Sequence, residues 1–200
     1  SDSVMENMNR IDNLPSLNDV IQNWLASTPV NGKSGDEKTL QEFAETHISS
    51  MSEHAESVIT HMVKIGHGTE ETIRPRIEAG ISGARDFLLP EGKVVPARAG
   101  LLFIESYREL PLLSWPRRLI DTIVDLEQSM LLFRSHHARM VERMIGRRMG
   151  TGGSSGVDYL DMTLKYRTFT DLWAVRTMLV KRDALSSPEN AEFYGYAAQK

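Results

Sequence analysis

Apolar residues recur along most of the chain at the three- and four-residue spacing of an amphipathic helix, and alternating strand patterns are scarce. The clearest run follows Ser16, which forms a capping box with Asp19, and Thr28-Pro29 ends it. Its apolar positions are Leu17, Val20, Ile21, Trp24 and Leu25. The pattern therefore predicts an all-α fold, a helical bundle, built from helices with recognisable starts and stops.

Five further helices are predicted from the same spacing. They cover about residues 37–64, 69–89, 97–110, 117–148 and 168–181. Gly80 and Gly83 are expected to interrupt the second of these helices, because glycine disfavours a helix interior. Residues 30–36 are expected to form a flexible loop, and the polar tail beyond Ser187 is expected to be loosely held.

Composition narrows the possible chemistry. The 200 residues fit one domain, and the absence of cysteine excludes thiol catalysis, iron–sulfur clusters, cysteine zinc sites and thioether-linked haem. A net charge of −4 argues against nucleic-acid binding, and no apolar run reaches the ~18 residues of a membrane helix. The first residues do not read as a signal peptide, so we expect a cytoplasmic protein without nucleic-acid or membrane partners.

Three histidines, His47, His54 and His61, recur every seven residues on one helix stripe. Seven residues correspond to ~10.5 Å along a helix, which is too far for two of them to share one metal ion. We interpret them as partly exposed side chains on one face or at a seam between helices. A pH-sensitive interface is the alternative.

The pair His136-His137 lies inside the long apolar helix. His137 shares a face with Met130, Phe133, Val141 and Met144. A neutral imidazole among apolar neighbours is what an axial haem ligand requires, although a satisfied core histidine has the same pattern. Periodicity alone does not exclude His136.

Four glycines fall within the seven residues 150–156, GTGGSSG. The segment follows a predicted helix and lacks both the lysine of a P-loop and the dinucleotide-binding spacing. Backbone N–H groups of such a loop can surround a carboxylate or propionate, and a flexible connector is the alternative. Nearby arginines could meet acidic groups of a ligand or form an ion-paired face: Arg134, Arg139, Arg143, Arg147 and Arg148.

The stretch from Leu101 to Leu172 resembles the tryptophan 2,3-dioxygenase family. The resemblance rests on Y-R-E-x-P at 107–111, F-R-x-x-H at 133–137, M-V-E-R-M-I-G at 140–146 and G-T-G-G-S-S-G at 150–156, followed by Tyr159-Leu160. Residues 15–29 also resemble a helix of that family, whereas residues 30–96 match only in helical character.

The resemblance implies an all-α enzyme with non-covalent haem b, usually a homotetramer. Such enzymes insert both atoms of O₂ across the indole C2–C3 bond of tryptophan or a close analogue. In the family, the proximal haem ligand is a histidine fourteen residues before the threonine of G-T-G-G, which selects His137 over His136. The family's threonine contacts the substrate amino group, a role that carries to Thr151 with Gly152 as backbone neighbour. Cofactor contacts are expected from Gly150, Gly153, Ser154 and Arg134.

The chain departs from the family pattern in one respect. The family's distal histidine and carboxylate-binding arginine lie upstream of the helix matched by residues 15–29, and neither has a counterpart here. We therefore expect residues 1–200 to be one haem domain resembling the C-terminal, proximal-haem part of a longer family chain. The alternatives are a short form whose distal pocket comes from a second polypeptide, a haem monooxygenase or peroxygenase acting on another aromatic amino acid or indole, and a non-catalytic fragment.

Overall fold

The computed structural model describes residues 14–146 and 156–195. Its secondary structure is almost entirely helical, which confirms the all-α class. The α-helices of these residues are α1 (Leu17–Ala26), α2 (Glu37–Lys64), α3 (Glu70–Leu88), α4 (Pro96–Ser106), α5 (Ser114–Ile145), α6 (Val157–Thr163) and α7 (Thr170–Ala174). Short 3₁₀ turns connect them. None of these helices combines the length and apolar character needed to cross a bilayer.

Local capping sets the helix starts where the sequence predicts them. The Asp19 amide donates to Oγ of Ser16, and the Ser16 amide donates to Oδ2 of Asp19 at 2.9 Å. Asp36 caps α2 in the same way through the Thr39 amide. These bonds satisfy amides that have no partner within the helix, so the predicted starts of α1 and α2 are confirmed.

Two local predictions are wrong. Helix α3 runs through Gly80 and Gly83 without a break, because one helical glycine costs only about 1 kcal/mol, which packing overcomes. The predicted loop at residues 30–36 contains a hairpin in which β1 (Pro29–Val30) pairs antiparallel with β2 (Lys33–Ser34). Asn31 and Gly32 turn the chain with φ of 50° and 78°, the positive values that an Asn-Gly hairpin turn requires.

The C-terminal predictions also need correction. The expected helix over 168–181 is replaced by α7 and a 3₁₀ turn, Val175–Met178, and α6 was not predicted. The tail is held rather than loose up to residue 195, because the side chain of Tyr194 is fully buried. Its hydroxyl donates to the Pro29 carbonyl at 2.5 Å and accepts from the Gly32 amide at 2.9 Å.

The described residues form two compact units, one up to Ser114 together with those from Val175 onward, and the other Trp115–Ala174. In the first unit α4 is the most buried helix, and α1 packs so closely on it that a Cβ at Gly100 would lie 2.1 Å from the Leu25 carbonyl oxygen. An aromatic cluster surrounds Phe103, formed with Phe43, Tyr107 and Tyr194. The single-domain organisation expected from the length stays a prediction.

Candidate functional site

His137 lies on α5 in the second unit, half-buried and stacked against Phe133 one turn earlier. The two ring centroids are 6.0 Å apart and the ring planes differ by 8°. Within the described part of the chain, neither His137 nor His136 forms a hydrogen bond through its imidazole. The stack restrains the orientation of the His137 ring.

The same part of α5 exposes a row of large apolar side chains. Phe133 is 70% exposed and Met144 74% exposed, and the other members of the row are Met130, Leu132, Met140 and Ile145. Exposed apolar surface of this extent is a candidate contact face for a ligand or for another part of the protein. A half-buried imidazole on such a face matches the needs of a planar apolar cofactor held by one histidine, so these residues fit haem.

An open pocket of about 490 Å³ adjoins this row. Among the described residues, its lining is His136, Arg139, Met140, Arg143 and Met144. His136 and His137 point about 100° apart around the helix, so the pocket lies on the His136 side and the ring stack on the other. The geometry therefore keeps both histidines as candidates, and the preference for His137 stays a prediction from the family resemblance.

Arg134, predicted to contact the cofactor, binds backbone carbonyls in the second unit. Its Nη1 donates to the carbonyl oxygens of Tyr166 at 3.1 Å and Thr163 at 3.4 Å, at the C-terminal end of α6. Because a guanidinium has five N–H donors, a haem contact through the others stays a prediction.

Arg139 forms a second link between α5 and α6. Its guanidinium pairs with Asp161 on α6 and, at 2.5 Å, with Glu142 on its own helix. The hydrogen bond to Asp161 raises the pKa of Arg139 above its ordinary value. The two arginines lie on either side of His137 along α5, and both bind α6 or the residues that follow it.

Glu127 is a buried acidic residue of the second unit that was not singled out from the sequence pattern. Its carboxylate is only 4% exposed and accepts hydrogen bonds from the amides of Thr168 and Phe169 and from Nε1 of Trp173. Those two amides lie just before α7, so Glu127 fixes the chain at the start of that helix. An acidic residue three positions after Val124 on an apolar stripe was the available signal.

The predicted substrate and cofactor contacts of the glycine-rich segment fall at Gly150, Thr151, Gly152, Gly153 and Ser154, outside the described residues. The residues that flank the gap are described. Gly146 ends α5 with φ of 63°, and Gly156 precedes α6 with φ of 60°. Both conformations favour glycine over residues with a Cβ.

The three histidines spaced seven residues apart on α2 differ in burial. His54 and His61 are exposed, as expected, but His47 is only 1% exposed, so the interpretation of it as partly exposed is wrong. Its Nε2 donates to the Met178 carbonyl at 2.8 Å, a partner 131 residues away that no periodicity could indicate. Burial lowers the pKa of His47. No group of three or more His, Asp or Glu residues suited to a metal ion occurs within 14–146 and 156–195.

Comparison with known proteins adds independent information. A family model described as Tryptophan 2,3-dioxygenase matches residues 1–179. The tryptophan 2,3-dioxygenase of Sorangium cellulosum is 42% identical over 203 aligned positions, covering 95% of this chain and 49% of that protein. Tryptophan 2,3-dioxygenase 2 of Ralstonia nicotianae is 42% identical, covering 92% and 53%. The chain thus spans about half the length of these two relatives. A tryptophan 2,3-dioxygenase-like protein of Xanthomonas campestris is 40% identical, covering 92% and 72%.

Proposed function

Because this chain belongs to the tryptophan 2,3-dioxygenase family, we propose that it acts in the haem-dependent insertion of O₂ across the indole C2–C3 bond of tryptophan or a close analogue. The C2–C3 bond breaks, and each carbon receives one oxygen atom as a carbonyl, giving a product of the N-formylkynurenine type. Both oxygen atoms are accounted for, so no separate electron donor is consumed. The observation that carries the proposal is His137, half-buried on an exposed apolar face.

His137 is the proposed axial ligand of haem b, with His136 as the alternative. Haem b supplies the iron that activates O₂ when it is bound. The ring must be neutral at the ligating nitrogen, and the stack on Phe133 limits its rotation. Met140 and Met144 would cover the porphyrin and exclude water. The chain has no cysteine, which leaves axial ligation and packing to hold the cofactor.

The glycine-rich segment is the proposed site for the polar end of the substrate. The Thr151 hydroxyl would accept a hydrogen bond from the substrate ammonium, and Gly152 would place its backbone beside it. Gly150, Gly153 and Ser154 would lie along the edge of the cofactor. The position of Thr151 fourteen residues after His137, and the positive φ values of Gly146 and Gly156, support this assignment.

Assembly and location complete the proposal. We propose a homotetramer in the cytoplasm, as the family resemblance implies. Light scattering of the haem-loaded chain measures the first property, and fractionation of cells that express the protein from its own gene measures the second.

Haem binding is the first test. The full chain is loaded with haem b, and the Soret band is compared among the wild type, His137→Ala and the matched control His136→Ala. We expect the axial-ligand signature to disappear only in His137→Ala. A wild-type chain that stays colourless after loading would overturn the proposal in favour of a non-catalytic role.

Oxygen incorporation is the second test. The haem-loaded chain is reduced and mixed with tryptophan and isotopically labelled O₂, and the product is analysed by mass spectrometry. We expect both labelled atoms in one ring-opened product. One labelled atom in an intact ring, or turnover of tyrosine with peroxide but not of tryptophan, would contradict the proposal and indicate a monooxygenase or peroxygenase.

A further inference from the structure

Two arginines on α5 link it to the helix that follows the glycine-rich segment, and they bracket the proposed iron ligand. Arg134 lies three residues before His137 and Arg139 two residues after it. We propose that Arg134 and Arg139 are positioning residues, which hold α6, and through it Gly156 at the end of the glycine-rich segment, in a set position on the helix of His137. This inference rests on the function proposed above.

The Arg134 link is directional and partly shielded from water. Its half-buried guanidinium donates from Nη1 to the carbonyls of Thr163 and Tyr166. Thr163 is the last residue of α6, where the helix dipole favours a positive charge. Tyr166 lies three residues further on, and its amide also donates to the Thr163 carbonyl. The contact therefore determines where the C-terminal end of α6 lies on α5.

The Arg139 link holds the middle of the same short helix. Asp161 lies on α6, and its carboxylate meets Arg139, which also meets Glu142. One exposed ion pair contributes little stability, but the contacts at Asp161 and Thr163, with a third at Tyr166 just beyond the helix, together restrain how this helix of seven residues lies on α5. The role we assign is thus placement rather than global stability.

The position of α6 matters because the glycine-rich segment, residues 150–156, directly precedes it in the chain. Gly156 is the N-cap residue of α6, so a shift of the helix moves Gly156 with it. The proposed contact at Thr151 lies five residues upstream. A misplacement of about 1 Å can cost up to a hundredfold in rate when it affects the groups that orient a substrate.

Hydrogen exchange tests the anchoring without any need for activity. The full chain is compared as wild type, Arg134→Gln, Arg139→Gln and the double variant, with Arg118→Gln as the control because Arg118 is an exposed arginine on α5. We expect amides of α6 to exchange about tenfold faster in the double variant, with the N-terminal half of α5 unchanged, since local opening follows the lost contacts. Unchanged exchange in α6, or faster exchange throughout the chain, would overturn the inference.

Substrate kinetics test the consequence for the proposed site. We expect the KM for tryptophan to rise about tenfold in the double variant, because the links orient the substrate end of the proposed site. Haem affinity is compared in Arg139→Gln, which keeps the predicted cofactor contact of Arg134, and it should stay within about twofold of the wild type. Arg139→Lys should show a much smaller rise in KM than Arg139→Gln does, because the lysine ammonium can still pair with Asp161.

The outcomes separate this inference from the function on which it rests. An unchanged KM in the double variant, or a loss of haem affinity in Arg139→Gln that parallels the rise in KM, would overturn the positioning role while the dioxygenase proposal stands. A wild-type chain that binds haem but does not cleave tryptophan would overturn the proposed function, and the exchange experiment alone would then decide the anchoring.

Discussion

The two halves of α5 share one helix and one apolar periodicity, yet they differ in what covers them. Ile120, Ile123 and Val124 in the first half are buried, whereas Phe133 and Met144 in the second half are more than two-thirds exposed. A period of 3.6 residues identifies an apolar stripe, but it does not say what the stripe faces. In this family the exposed half is where an external apolar group is expected, so the difference between the halves distinguishes a core from a candidate binding surface.

The largest expected effect concerns Glu127, a buried residue of α5. Glu127→Ala should lower the free energy of unfolding by about 4 kcal/mol, because it leaves three N–H donors without their buried acceptor. Urea denaturation measures the change. The control is Asp125→Asn, an exposed acid on the same helix. A loss below about 1 kcal/mol would show that water replaces the carboxylate and that the surroundings of Glu127 are not a packed core.

A paired truncation compares the halves directly. Ile123→Ala should cost about 3 kcal/mol by opening a cavity, whereas Met144→Ala should cost less than about 0.5 kcal/mol in the haem-free chain. In a haem titration we expect the opposite ranking, with Met144→Ala weakening haem binding more than Ile123→Ala does. Equal stability losses for the two variants would remove the distinction between core and binding face.

The C-terminal tail offers a smaller test of the same principle, because it is a polar segment that turns out to be anchored. Tyr194→Phe should lower the free energy of unfolding by about 1 kcal/mol, since the hydroxyl bridges the Pro29 carbonyl and the Gly32 amide. Thermal denaturation measures the loss. Phe193→Leu, at a position 47% exposed, is the control. If the two variants melt together, the tail does not hold the hairpin.

The smallest expected effect concerns pH and the buried histidine. Burial lowers the pKa of His47, so the unfolded chain binds a proton at a higher pH than the folded chain does. Stability should therefore be full above the ordinary histidine pKa of 6.5 and decline as pH falls below it. Denaturation midpoints from pH 7.5 to 5 measure the slope. His47→Gln should flatten it, whereas His61→Gln, at an exposed position, should keep it. An equal slope in His47→Gln would assign the effect to other groups.

Much of the helical framework was predictable because its determinants are local. Ser16 with Asp19, and Asp36 with Thr39, make bonds between residues three apart, so these helix starts need no distant partner. The errors arose where distant residues decide the outcome. The amides just before α7, for example, bond to the Glu127 carboxylate about 40 residues earlier. The hairpin at Asn31-Gly32 was the exception, since its turn signal was present and was overlooked.

The helix starts and the family to which the chain belongs follow from the sequence alone, and through the family resemblance so does the predicted preference for His137 over His136. These are properties of short segments and of residue order. Only the tertiary structure decided which polar groups are buried and which apolar groups are exposed. Glu127, His47 and Tyr194 are buried and hydrogen-bond to partners between 41 and 165 residues away, whereas Phe133 stays at the surface. Burial is a property of the packed chain, and a residue's neighbours in sequence account for only a small part of it.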